Sequence, residues 1–343
     1  MSADSLTVDH SVDAQFMRQA IELAAQVDLA RDVNPRVGAV IVSADGAVVS
    51  TGIHQGSGTD HAEAVAVAAA GDQARGATVY VTLEPCAGTG KRPPCVNALI
   101  AAQVATVVYG QADPNQQMAG GAKLLTEAGI EVRSVLSDEC TDLNPSWTFA
   151  HKNGRPWVVW KTATTLDGFI SVAGSPSPWI TGEAARADVQ ALRRTVGAIV
   201  TGTGTVLADD PLLTVRELPD HDQPLRVIVG SRPIPETSSI LQSANPAIRV
   251  SGGLAETITN LWHDRGIHRV LVEAGQGIST SLWQAELVDE VYWYQAPTIG
   301  AAGIKVLGDI AVKNVTDLPR FSQIAVNRVG LDVLMHFTTG RDN

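Results

Sequence analysis

One stretch of the sequence, from His61 to Cys95, restricts the fold more than any other. It begins with His61-Ala62-Glu63 at the start of an alanine-rich segment, passes through an apolar run, and ends with two cysteines. A zinc ion that activates water is held by three protein ligands and keeps a fourth position open. His61, Cys86 and Cys95 provide three such ligands. The sequence therefore predicts a catalytic zinc site in the first half of the chain.

Glu63 is the candidate acid–base group of this site. It follows His61 by two residues, so it is predicted in the same helical turn but on a different face. His61 can then bind the metal while Glu63 takes a proton from water and passes it to a leaving amine. The order His-x-Glu, Pro-Cys, Cys is typical of zinc deaminases, in which the glutamate is not a ligand.

The residues alone leave two alternatives open. Two residues usually separate the cysteines of zinc deaminases, whereas eight separate Cys86 from Cys95. A structural zinc site would need a fourth ligand, which the neighbouring sequence lacks, and the cysteines could also be buried and unrelated. The third cysteine, Cys140, lies in an acidic stretch and is predicted to be an ordinary core or surface thiol.

The first half alternates between helices and strands, as the spacing of its apolar residues predicts. Helices are predicted at 11–30, from about 61, from about 94 and at 119–128. Strands are predicted at 37–43, 47–52, 77–83, 104–109 and 130–135. This alternation indicates an α/β sandwich with a partly parallel sheet.

A stretch rich in turn formers, 143–156, divides the chain, and we place a boundary near 146–155. Trp147 and Trp157 flank it, so the linker is predicted to pack down. We expect domains at 1–148 and 149–343. The second half alternates again, with strands predicted at 157–161, 197–201, 226–230, 248–250, 269–272, 288–295 and 333–338, and helices at 183–196 and after 277.

Two glycine-containing turns follow apolar strands in the second half, at 202–205 (Gly-Thr-Gly-Thr) and 273–277 (Glu-Ala-Gly-Gln-Gly). Glycine lets backbone N–H groups approach a phosphate, and a helix N-terminus behind it adds positive potential. Two such turns in one domain favour nucleotide binding, although each is also consistent with a plain turn. Asp209-Asp210-Pro211 suits either a metal or ribose contact or an N-cap and turn.

Composition limits the partners and the compartment. The net charge is −11, so the surface repels phosphate backbones and no nucleic-acid partner is expected. The first residues are polar and acidic, unlike a signal peptide, and no apolar run approaches the about 20 residues of a membrane span. Three cysteines favour use as ligands over disulfides and a reducing, cytoplasmic location.

Motifs in both halves together resemble one family. In the first half they are His61-Ala62-Glu63, Thr82-Leu83-Glu84-Pro85-Cys86 and Pro93-Pro94-Cys95. In the second half they are Leu166-Asp167-Gly168, Trp179-Ile180-Thr181, the run from Thr205 to Pro211, Leu213-Thr214-Val215-Arg216 and Val272-Glu273-Ala274-Gly275. These motifs resemble the bifunctional deaminase/reductase of riboflavin biosynthesis, in which an eight-residue gap between the cysteines is the normal form.

The resemblance implies a cytidine-deaminase-like three-layer sandwich followed by a dihydrofolate-reductase-like α/β domain. The first domain would hydrolyse the ring amino group of 2,5-diamino-6-(5-phosphoribosylamino)pyrimidin-4-one with Zn2+. The second would reduce the ribosyl group to a ribityl chain with NADPH. The expected partners are this small phosphorylated pyrimidine and further copies of the chain, in the cytoplasm, without nucleic acid or membrane.

The resemblance also implies roles for individual residues. His61, Cys86 and Cys95 match the zinc ligands, and Glu63 matches the proton shuttle. The positions that match cofactor contacts are Thr164, Trp179, Thr205, Asp209, Ser231, Gly275, Gln276, Gly277, Ile278, Ser279, Thr280 and Ser281. The positions that match substrate contacts are Ser177, Arg193, Leu213, Arg216 and Glu273.

Three further residues, Lys161, Asn34 and His54, are candidates for the two sites. The two arginines of the substrate set suit a phosphate, because a guanidinium binds it bidentately. Lys161 matches the lysine before the Leu-Asp-Gly turn, and Asp209 is the candidate for proton movement at the sugar. Asn34 and His54 are candidate substrate contacts from their position alone; the alternatives are a plain turn before proline and a solvated histidine.

The chain departs from the family pattern in two places. After Cys86 the family usually carries a histidine, whereas this chain has Ala87-Gly88-Thr89-Gly90, followed by Lys91 and Arg92 as phosphate candidates. Phe169 stands where an arginine is usual. One alternative hypothesis is therefore a reductase whose deaminase domain binds zinc but is impaired. The others are a nucleic-acid deaminase or RNA-binding module, and a non-catalytic zinc-stabilised assembly module.

Overall fold

The structure is a computed structural model that describes residues 10–28, 32–174, 179–243 and 245–339. The chain divides into two units, Met1–Lys152 and Asn153–Asn343. The division lies inside the turn-rich stretch 146–155, and the domain limits 148 and 149 stay predictions.

A five-stranded sheet forms the centre of the first unit. Its strands are β1 (Gly38–Val42), β2 (Val48–Ile53), β3 (Thr78–Val81), β4 (Thr106–Tyr109) and β5 (Glu131–Ser134). The strand order is β2-β1-β3-β4-β5. Strand β1 pairs antiparallel with β2 and β3, whereas β3, β4 and β5 are parallel.

Helices cover both faces of this sheet. They are α1 (His10–Ala25), α2 (Ala62–Ala70), α3 (Cys95–Ala101), α4 (Gly121–Glu127), α5 (Asp138–Asp142) and α6 (Pro145–Asn153). Successive residues of a strand point to opposite faces. Accordingly, Ile41 packs in the cluster that contains residues of α2, α3 and α4, whereas Val40 packs with Phe16 of α1 and Cys140 of α5. The result is a three-layer sandwich.

Small residues bring α2 close to the sheet. Ala62, Ala66 and Ala70 recur every four residues and are buried. A Cβ on Gly52 of β2 would lie 2.0 Å from the carbonyl oxygen of Ala62, so this position requires glycine. The close approach fixes the N-terminus of α2, where His61 lies.

An eight-stranded sheet forms the centre of the second unit. Its strands are β6 (Trp157–Thr164), β8 (Ala198–Gly202), β9 (Leu225–Val229), β10 (Ile248–Val250), β11 (Arg269–Glu273), β12 (Glu290–Gln295), β14 (Gln323–Val329) and β15 (Asp332–Thr338). The order is β10-β9-β8-β11-β6-β12-β15-β14, parallel from β10 to β12 and antiparallel thereafter. A separate ribbon pairs β7 (Phe169–Val172) with β13 (Gly303–Lys305).

Helices also cover both faces of the second sheet. They are α7 (Glu183–Arg194), α8 (Thr203–Asp209), α9 (Ser239–Gln242), α10 (Leu254–Arg265) and α11 (Gln276–Gln284). Trp160 of β6 packs with residues of α10 and α11, whereas the preceding Val159 packs with residues of α7, α8 and α9. Because β8, β9 and β11 are parallel, the loops after them meet at one edge of the sheet.

The structure differs from the sequence predictions at a few elements. The turn formers of the linker predicted a loop, but Pro145–Asn153 is helical, because Trp147 anchors it in the core of the first unit. Gly202-Thr203-Gly204-Thr205 was predicted as a turn, but helix α8 begins at Thr203. Helix α10 and strand β14 were missed, although Leu254, Ile258 and Leu261 carry helical spacing. Within the described ranges, none of the helices has the length and apolar character that crossing a bilayer requires.

Candidate functional site

The predicted metal ligands meet in the first unit. His61 caps the N-terminus of α2, Cys86 lies in the loop after β3, and Cys95 is the first residue of α3. Their ligand atoms all lie within 4.8 Å of one another. The His61 Nδ1 atom is 3.1 Å from Cys95 Sγ and 3.5 Å from Cys86 Sγ. One nitrogen and two sulfurs at this spacing fit a single zinc ion with a fourth position open.

Cys140 does not belong to this group. Its side chain is buried on the opposite face of the sheet, in the cluster with Phe16 and Met17. Its Sγ lies only 2.2 Å from where a Cβ on Gly110 would be, so it packs against a glycine. Cys140 is therefore an ordinary thiol of the core, as predicted, and it is not a fourth ligand of the zinc site.

The two cysteines form a polarised pair. A hydrogen bond from the Cys95 thiol lowers the pKa of the Cys86 thiol to about 4. Burial acts against this shift, whereas His61 and the backbone N–H of Cys95 add to it. The pKa of Cys95 is raised because its thiol donates to Cys86. Thiolates are the form that binds metals, so Cys86 is prepared for a metal ion.

Glu63 is buried beside these ligands. It lies in the first turn of α2 with only 4% of its surface exposed. Burial raises the pKa of its carboxyl group, and the negative charge of Cys86 raises it further. A raised pKa lets a carboxyl group hold a proton more readily, which suits a group that accepts a proton and later releases it.

His54 and Asn34 are joined by a hydrogen bond. His54 is buried, and the Asn34 side-chain nitrogen lies 3.1 Å from its Nε2. The other ring nitrogen, Nδ1, lies 3.0 Å from the carbonyl oxygen of Asp60. Burial lowers the pKa of His54, so the ring is neutral, with Nδ1 donating and Nε2 accepting. The alternative of a solvated histidine is wrong: His54 orients the Asn34 amide.

Two basic residues tie the cysteine loop to the loop before His61. Lys91 donates from Nζ to Ser57 Oγ at 2.9 Å. Arg92 donates to the Gly58 carbonyl oxygen at 2.8 Å and lies 3.4 Å from an Asp60 carboxylate oxygen. Both side chains are exposed, and their remaining N–H groups stay available to a ligand.

The loop that lacks the expected histidine packs closely on another loop. A Cβ on Gly88 would lie 2.2 Å from the Gln117 carbonyl oxygen and 2.8 Å from Met118 Sδ. Ala87 donates its backbone N–H to the Met118 carbonyl oxygen. A side chain as large as histidine therefore does not fit at position 88 in this chain.

Sequence reasoning missed the role of Glu84. Its buried carboxylate accepts backbone N–H bonds from Asp113, Gly120 and Ala122 at 3.0–3.2 Å. These bonds hold the loop that contacts Pro85 and Ala87, the neighbours of Cys86. Its place in Glu84-Pro85-Cys86, directly after a strand, was the signal available in the sequence.

The second unit holds a cavity of about 500 Å³ at the carboxyl edge of its sheet. Eight predicted contacts and Lys161 line it: Lys161, Trp179, Arg193, Thr205, Asp209, Leu213, Arg216, Glu273 and Gly275. The left-handed φ of +51° at Leu213 is a strained conformation of the kind found at binding sites. The predicted residues thus come together from five separate chain segments.

A buried ion triad lies in this cavity. Arg193 donates from Nε and Nη2 to both oxygens of Glu273, and Lys161 Nζ lies 3.7 Å from Glu273 Oε2. Burial alone would raise the pKa of Glu273, but the two cations lower it. Burial lowers the pKa of Lys161 and is only partly offset by Glu273. The charge of Arg193 is thus largely balanced by Glu273, and its contact with a substrate phosphate stays a prediction.

The two neighbouring aspartates differ in environment. Asp209 lines the cavity, and burial raises the pKa of its carboxyl group. Asp210 caps α8 with a φ of +40° and accepts hydrogen bonds from the Ser239 backbone N–H and hydroxyl, both at 2.7 Å. Asp210 is therefore structural, whereas the carboxyl group of Asp209 faces the cavity.

Several residues that are predicted to contact the cofactor use their side chains for contacts within the protein. Thr164 accepts from Trp293, and Ser279 accepts from Trp160, each within the core. Thr280 and Ser281 donate to carbonyl oxygens one turn earlier in α11. Ile278 packs against Gly202, and the Gln276 side chain donates to the Leu307 carbonyl oxygen. By contrast, Ser231 is exposed, and a Cβ on Gly277 would meet open space. Ser177 lies outside the described residues.

Arg186 is a cavity residue that the motifs did not include. Its guanidinium lies 5.2 Å from the Trp179 ring centroid, and Nη1 donates to the Thr181 carbonyl oxygen at 2.8 Å. Trp179 is 62% exposed, so this contact holds a large aromatic wall in place. Arg186 precedes Arg193 by seven residues on the same face of α7, and this spacing was the signal in the sequence.

Known proteins with the same features allow a family assignment. Residues 10–111 match the family described as cytidine and deoxycytidylate deaminase zinc-binding region. Residues 156–335 match the RibD C-terminal domain. The riboflavin biosynthesis protein RibD of Mycobacterium tuberculosis is 41% identical over 331 residues, which cover 95% of this chain and 96% of that protein. RibD of Escherichia coli is 37% identical over 365 residues, covering 94% and 98%.

Solved structures agree with this assignment. RibD of Acinetobacter baumannii has a TM-score of 0.86 and is 36% identical, over 96% of this chain and 99% of that chain. A diaminohydroxyphosphoribosylaminopyrimidine deaminase/5-amino-6-(5-phosphoribosylamino)uracil reductase from Thermotoga maritima has a TM-score of 0.80 and is 32% identical with the same coverage. The predicted order of a deaminase-like and a reductase-like α/β domain is confirmed. The chain belongs to the RibD family of bifunctional riboflavin-biosynthesis enzymes, which combine a zinc-dependent deaminase with an NADPH-dependent reductase.

Proposed function

We propose that the first unit removes the ring amino group of 2,5-diamino-6-(5-phosphoribosylamino)pyrimidin-4-one, and that the second unit reduces the product's ribosyl group to a ribityl chain. The observation that carries this proposal is the group of His61, Cys86 and Cys95 within 4.8 Å, beside the buried Glu63. The domain limits 1–148 and 149–343 are part of the proposal.

In the deaminase site, His61, Cys86 and Cys95 hold Zn2+, which supplies a Lewis acid that activates water. Glu63 accepts a proton on its carboxylate from the attacking water and donates it to the leaving amino nitrogen. Its burial raises its pKa and so favours holding this proton between the two transfers.

Residues around the deaminase site position the substrate. Asn34 presents its amide to the pyrimidine ring, and His54 orients that amide through the 3.1 Å hydrogen bond. Lys91 and Arg92, which still have free N–H groups, contact the substrate's phosphate. The close packing of Gly88 on Gln117 and Met118 supports a loop that needs no histidine.

In the reductase site, NADPH supplies the hydride. Glu273 and Lys161 orient the pyrimidine and ribose, Arg193 holds Glu273, and Leu213 and Ser177 complete the substrate contacts. Arg216 binds the phosphate, because no carboxylate pairs with its guanidinium in the described part of the chain. Asp209 donates a proton to the sugar oxygen as the ring opens, which its burial-raised pKa favours.

The cofactor lies along the carboxyl edge of the sheet in this proposal. Trp179, Thr205 and Asp209 contact it from the cavity wall. The Gly275–Ser281 run contributes its backbone at the start of α11, since four of its side chains are engaged within the protein. Thr164 helps to form the cofactor site from its place at the end of β6. Ser231 contacts the nucleotide from the loop after β9.

We further propose a homo-oligomer in the cytoplasm that binds no nucleic acid. Strand β14 is the edge of the eight-stranded sheet, and Ile324 and Val326 on it are 64% and 63% exposed. Exposed apolar edges of this kind pair with another strand. Antiparallel pairing of β14 with a second copy would pair its open backbone edge and place the apolar side chains of the two copies side by side. Sedimentation of the chain and of Val326→Lys tests this, with a monomeric wild type as the contrary result.

The second candidate function, a reductase with an impaired deaminase, rests only on the missing histidine after Cys86. The experiment that separates the two is incubation of the zinc-loaded chain with the diaminopyrimidinone, with and without NADPH, followed by mass analysis. We expect a mass change of amine-to-oxygen exchange without NADPH, and a further gain of two hydrogens with it. If the diaminopyrimidinone stayed unreacted in the incubation without NADPH, that result would support the impaired deaminase.

A further inference from the structure

One wall of the reductase cavity is a chain segment that belongs to no helix or strand. This segment, residues 211–216, follows α8 and carries Leu213 and Arg216, which are both proposed to contact the substrate. Backbone N–H and C=O groups outside regular elements need other hydrogen-bond partners where water is excluded. In this segment, side chains from distant parts of the second unit supply such partners.

Gln223 makes three of these hydrogen bonds. It directly precedes the buried Pro224 and strand β9. Its Oε1 atom accepts from the Val215 backbone N–H at 2.8 Å, and its Nε2 atom donates to the Val215 carbonyl oxygen at 2.8 Å. The side-chain amide thus pairs with both polar groups of one residue, as a neighbouring strand would. Nε2 also donates to the Leu218 carbonyl oxygen at 2.8 Å, so both of its hydrogens are used.

This contact fixes the residue next to Arg216. Val215 is only 1% exposed, whereas the Arg216 side chain is exposed and lines the cavity. The Arg216 backbone N–H donates to Gln190 Oε1 at 3.0 Å. Gln223 and Gln190 therefore hold two successive residues of the segment. The long side chain of Arg216 starts from a fixed backbone position, which limits where its guanidinium can lie.

Two arginines also hold the segment, but each has a further task. Arg193 donates to the Thr214 carbonyl oxygen at 3.1 Å and also pairs with Glu273. The buried Arg226 donates to the Leu212 carbonyl oxygen at 3.3 Å and to the Ser243 hydroxyl at 2.7 Å. Replacing either arginine would disturb a buried charge as well as the segment.

Gln223 can be changed without disturbing a charge. It is neutral, and among the described residues it does not belong to the cavity wall. A change at this position therefore tests the hold on the segment alone.

We propose that Gln223 is a positioning residue of the reductase: its amide holds Val215 and thereby directs Arg216 to the phosphate of the substrate. The inference rests on the proposed reductase function and on the proposed phosphate contact of Arg216. Gln223 itself touches neither substrate nor cofactor. Its loss should weaken binding of the phosphorylated substrate and leave hydride transfer and NADPH binding unchanged.

Steady-state kinetics of the full zinc-loaded chain test this role, with the deaminated aminouracil as substrate in its phosphorylated and dephosphorylated forms. For Gln223→Ala we expect KM for the phosphorylated form to rise about 10-fold, while kcat and KM for NADPH stay within about twofold. The kinetics of the dephosphorylated form should hardly change. Adding Gln223→Ala to Arg216→Ala should cause no further loss, because both changes remove the same phosphate contact.

Two further variants separate hydrogen bonding from packing. Gln223→Met keeps the length of the side chain but makes none of the three bonds, so it should behave like Gln223→Ala. The matched control is Gln242→Ala, which removes an exposed amide that donates to the Glu236 carbonyl oxygen outside the segment. It should leave all parameters unchanged.

Trypsin provides a readout that does not depend on activity, because it cleaves after arginine. In Gln223→Ala and Gln223→Met, cleavage after Arg216 should be about 10-fold faster than in wild type, since the segment opens more easily. Cleavage after Arg265, at the end of α10, should keep its rate. Mass analysis of the fragments identifies both sites.

Three results would overturn the inference: wild-type kinetics in Gln223→Met, equal losses for the two substrate forms, or an unchanged rate of cleavage after Arg216. A wild-type chain that reduces neither substrate form would instead refute the proposed reductase, and the trypsin comparison would still test the hold of Gln223 on the segment.

Discussion

The two sites of this chain are built in different ways. The zinc group comes from one short stretch, residues 61–95, in which each ligand starts or follows a helix or strand. The reductase cavity draws on residues from 161 to 275, which only the order of the parallel strands brings to one edge. A local site is therefore legible as a motif, whereas a distributed site depends on the fold. The following predictions test this contrast.

The largest effect is expected for Glu63→Gln. The change keeps the shape of the side chain but removes the proton carrier, so deamination should fall about 1000-fold. Zinc content by metal analysis should stay unchanged, because Glu63 is not a ligand. The reductase rate with deaminated substrate should also stay unchanged. If deamination persisted, Glu63 would not be the proton shuttle, and the role that the local motif predicts for it would be wrong.

Glu273→Gln tests the distributed site. The change leaves Lys161 and Arg193 buried without their shared carboxylate, and reductase kcat/KM should fall about 100-fold. Deamination should not change. The matched control is Glu217→Gln, which breaks the exposed ion pair with Arg194. It should lower the free energy of unfolding by at most about 1 kcal/mol. An effect of Glu217→Gln as large as that of Glu273→Gln would argue against the triad.

Glu290 tests the acid stability of the second unit. Burial opposes its ionisation, but hydrogen bonds from His336, Arg269 and Trp157 lower its pKa to about 2. The pKa is below that of an unfolded glutamate, so its stabilisation is complete above about pH 4.5 and is lost as pH falls towards 2. The contribution is about 3 kcal/mol.

Urea unfolding of the chain between pH 6 and pH 2 measures this effect. Glu290→Gln should be less stable at pH 6 and should lose less stability on acidification than wild type. Parallel pH curves for the two proteins would contradict the assignment of the acid sensitivity to Glu290.

Arg186→Ala is expected to have the smallest effect. Without the contact, Trp179 loses its support, and reductase KM should rise about 3- to 10-fold with kcat nearly constant. If Arg186 acts through Trp179, the loss in Trp179→Ala should not increase when Arg186→Ala is added. Arg194→Ala, on the same helix but outside the cavity, is the control. Additive losses would show that Arg186 contacts a ligand itself.

Much of the fold followed from local patterns. Apolar runs predicted most strands of both sheets, because a strand buried on both faces shows as a continuous apolar run. The pattern failed at β14, where Ile324 and Val326 lie on an exposed edge and no burial enforces a pattern. It also failed at Pro145–Asn153, where packing of Trp147 stabilises a helix that the turn formers disfavour.

The sequence by itself determined the zinc group, because His61 and Cys95 lie at the N-termini of helices and Cys86 lies in the loop after a predicted strand. It also determined the family, through motifs in both halves. Only the tertiary structure decided that His54 is a buried partner of Asn34, that Arg193 pairs with Glu273, and that Arg186 packs against Trp179. Sequence spacing fixes neighbours along one helix or loop, whereas pairing between distant segments and burial of their charges arise only when the sheet is assembled.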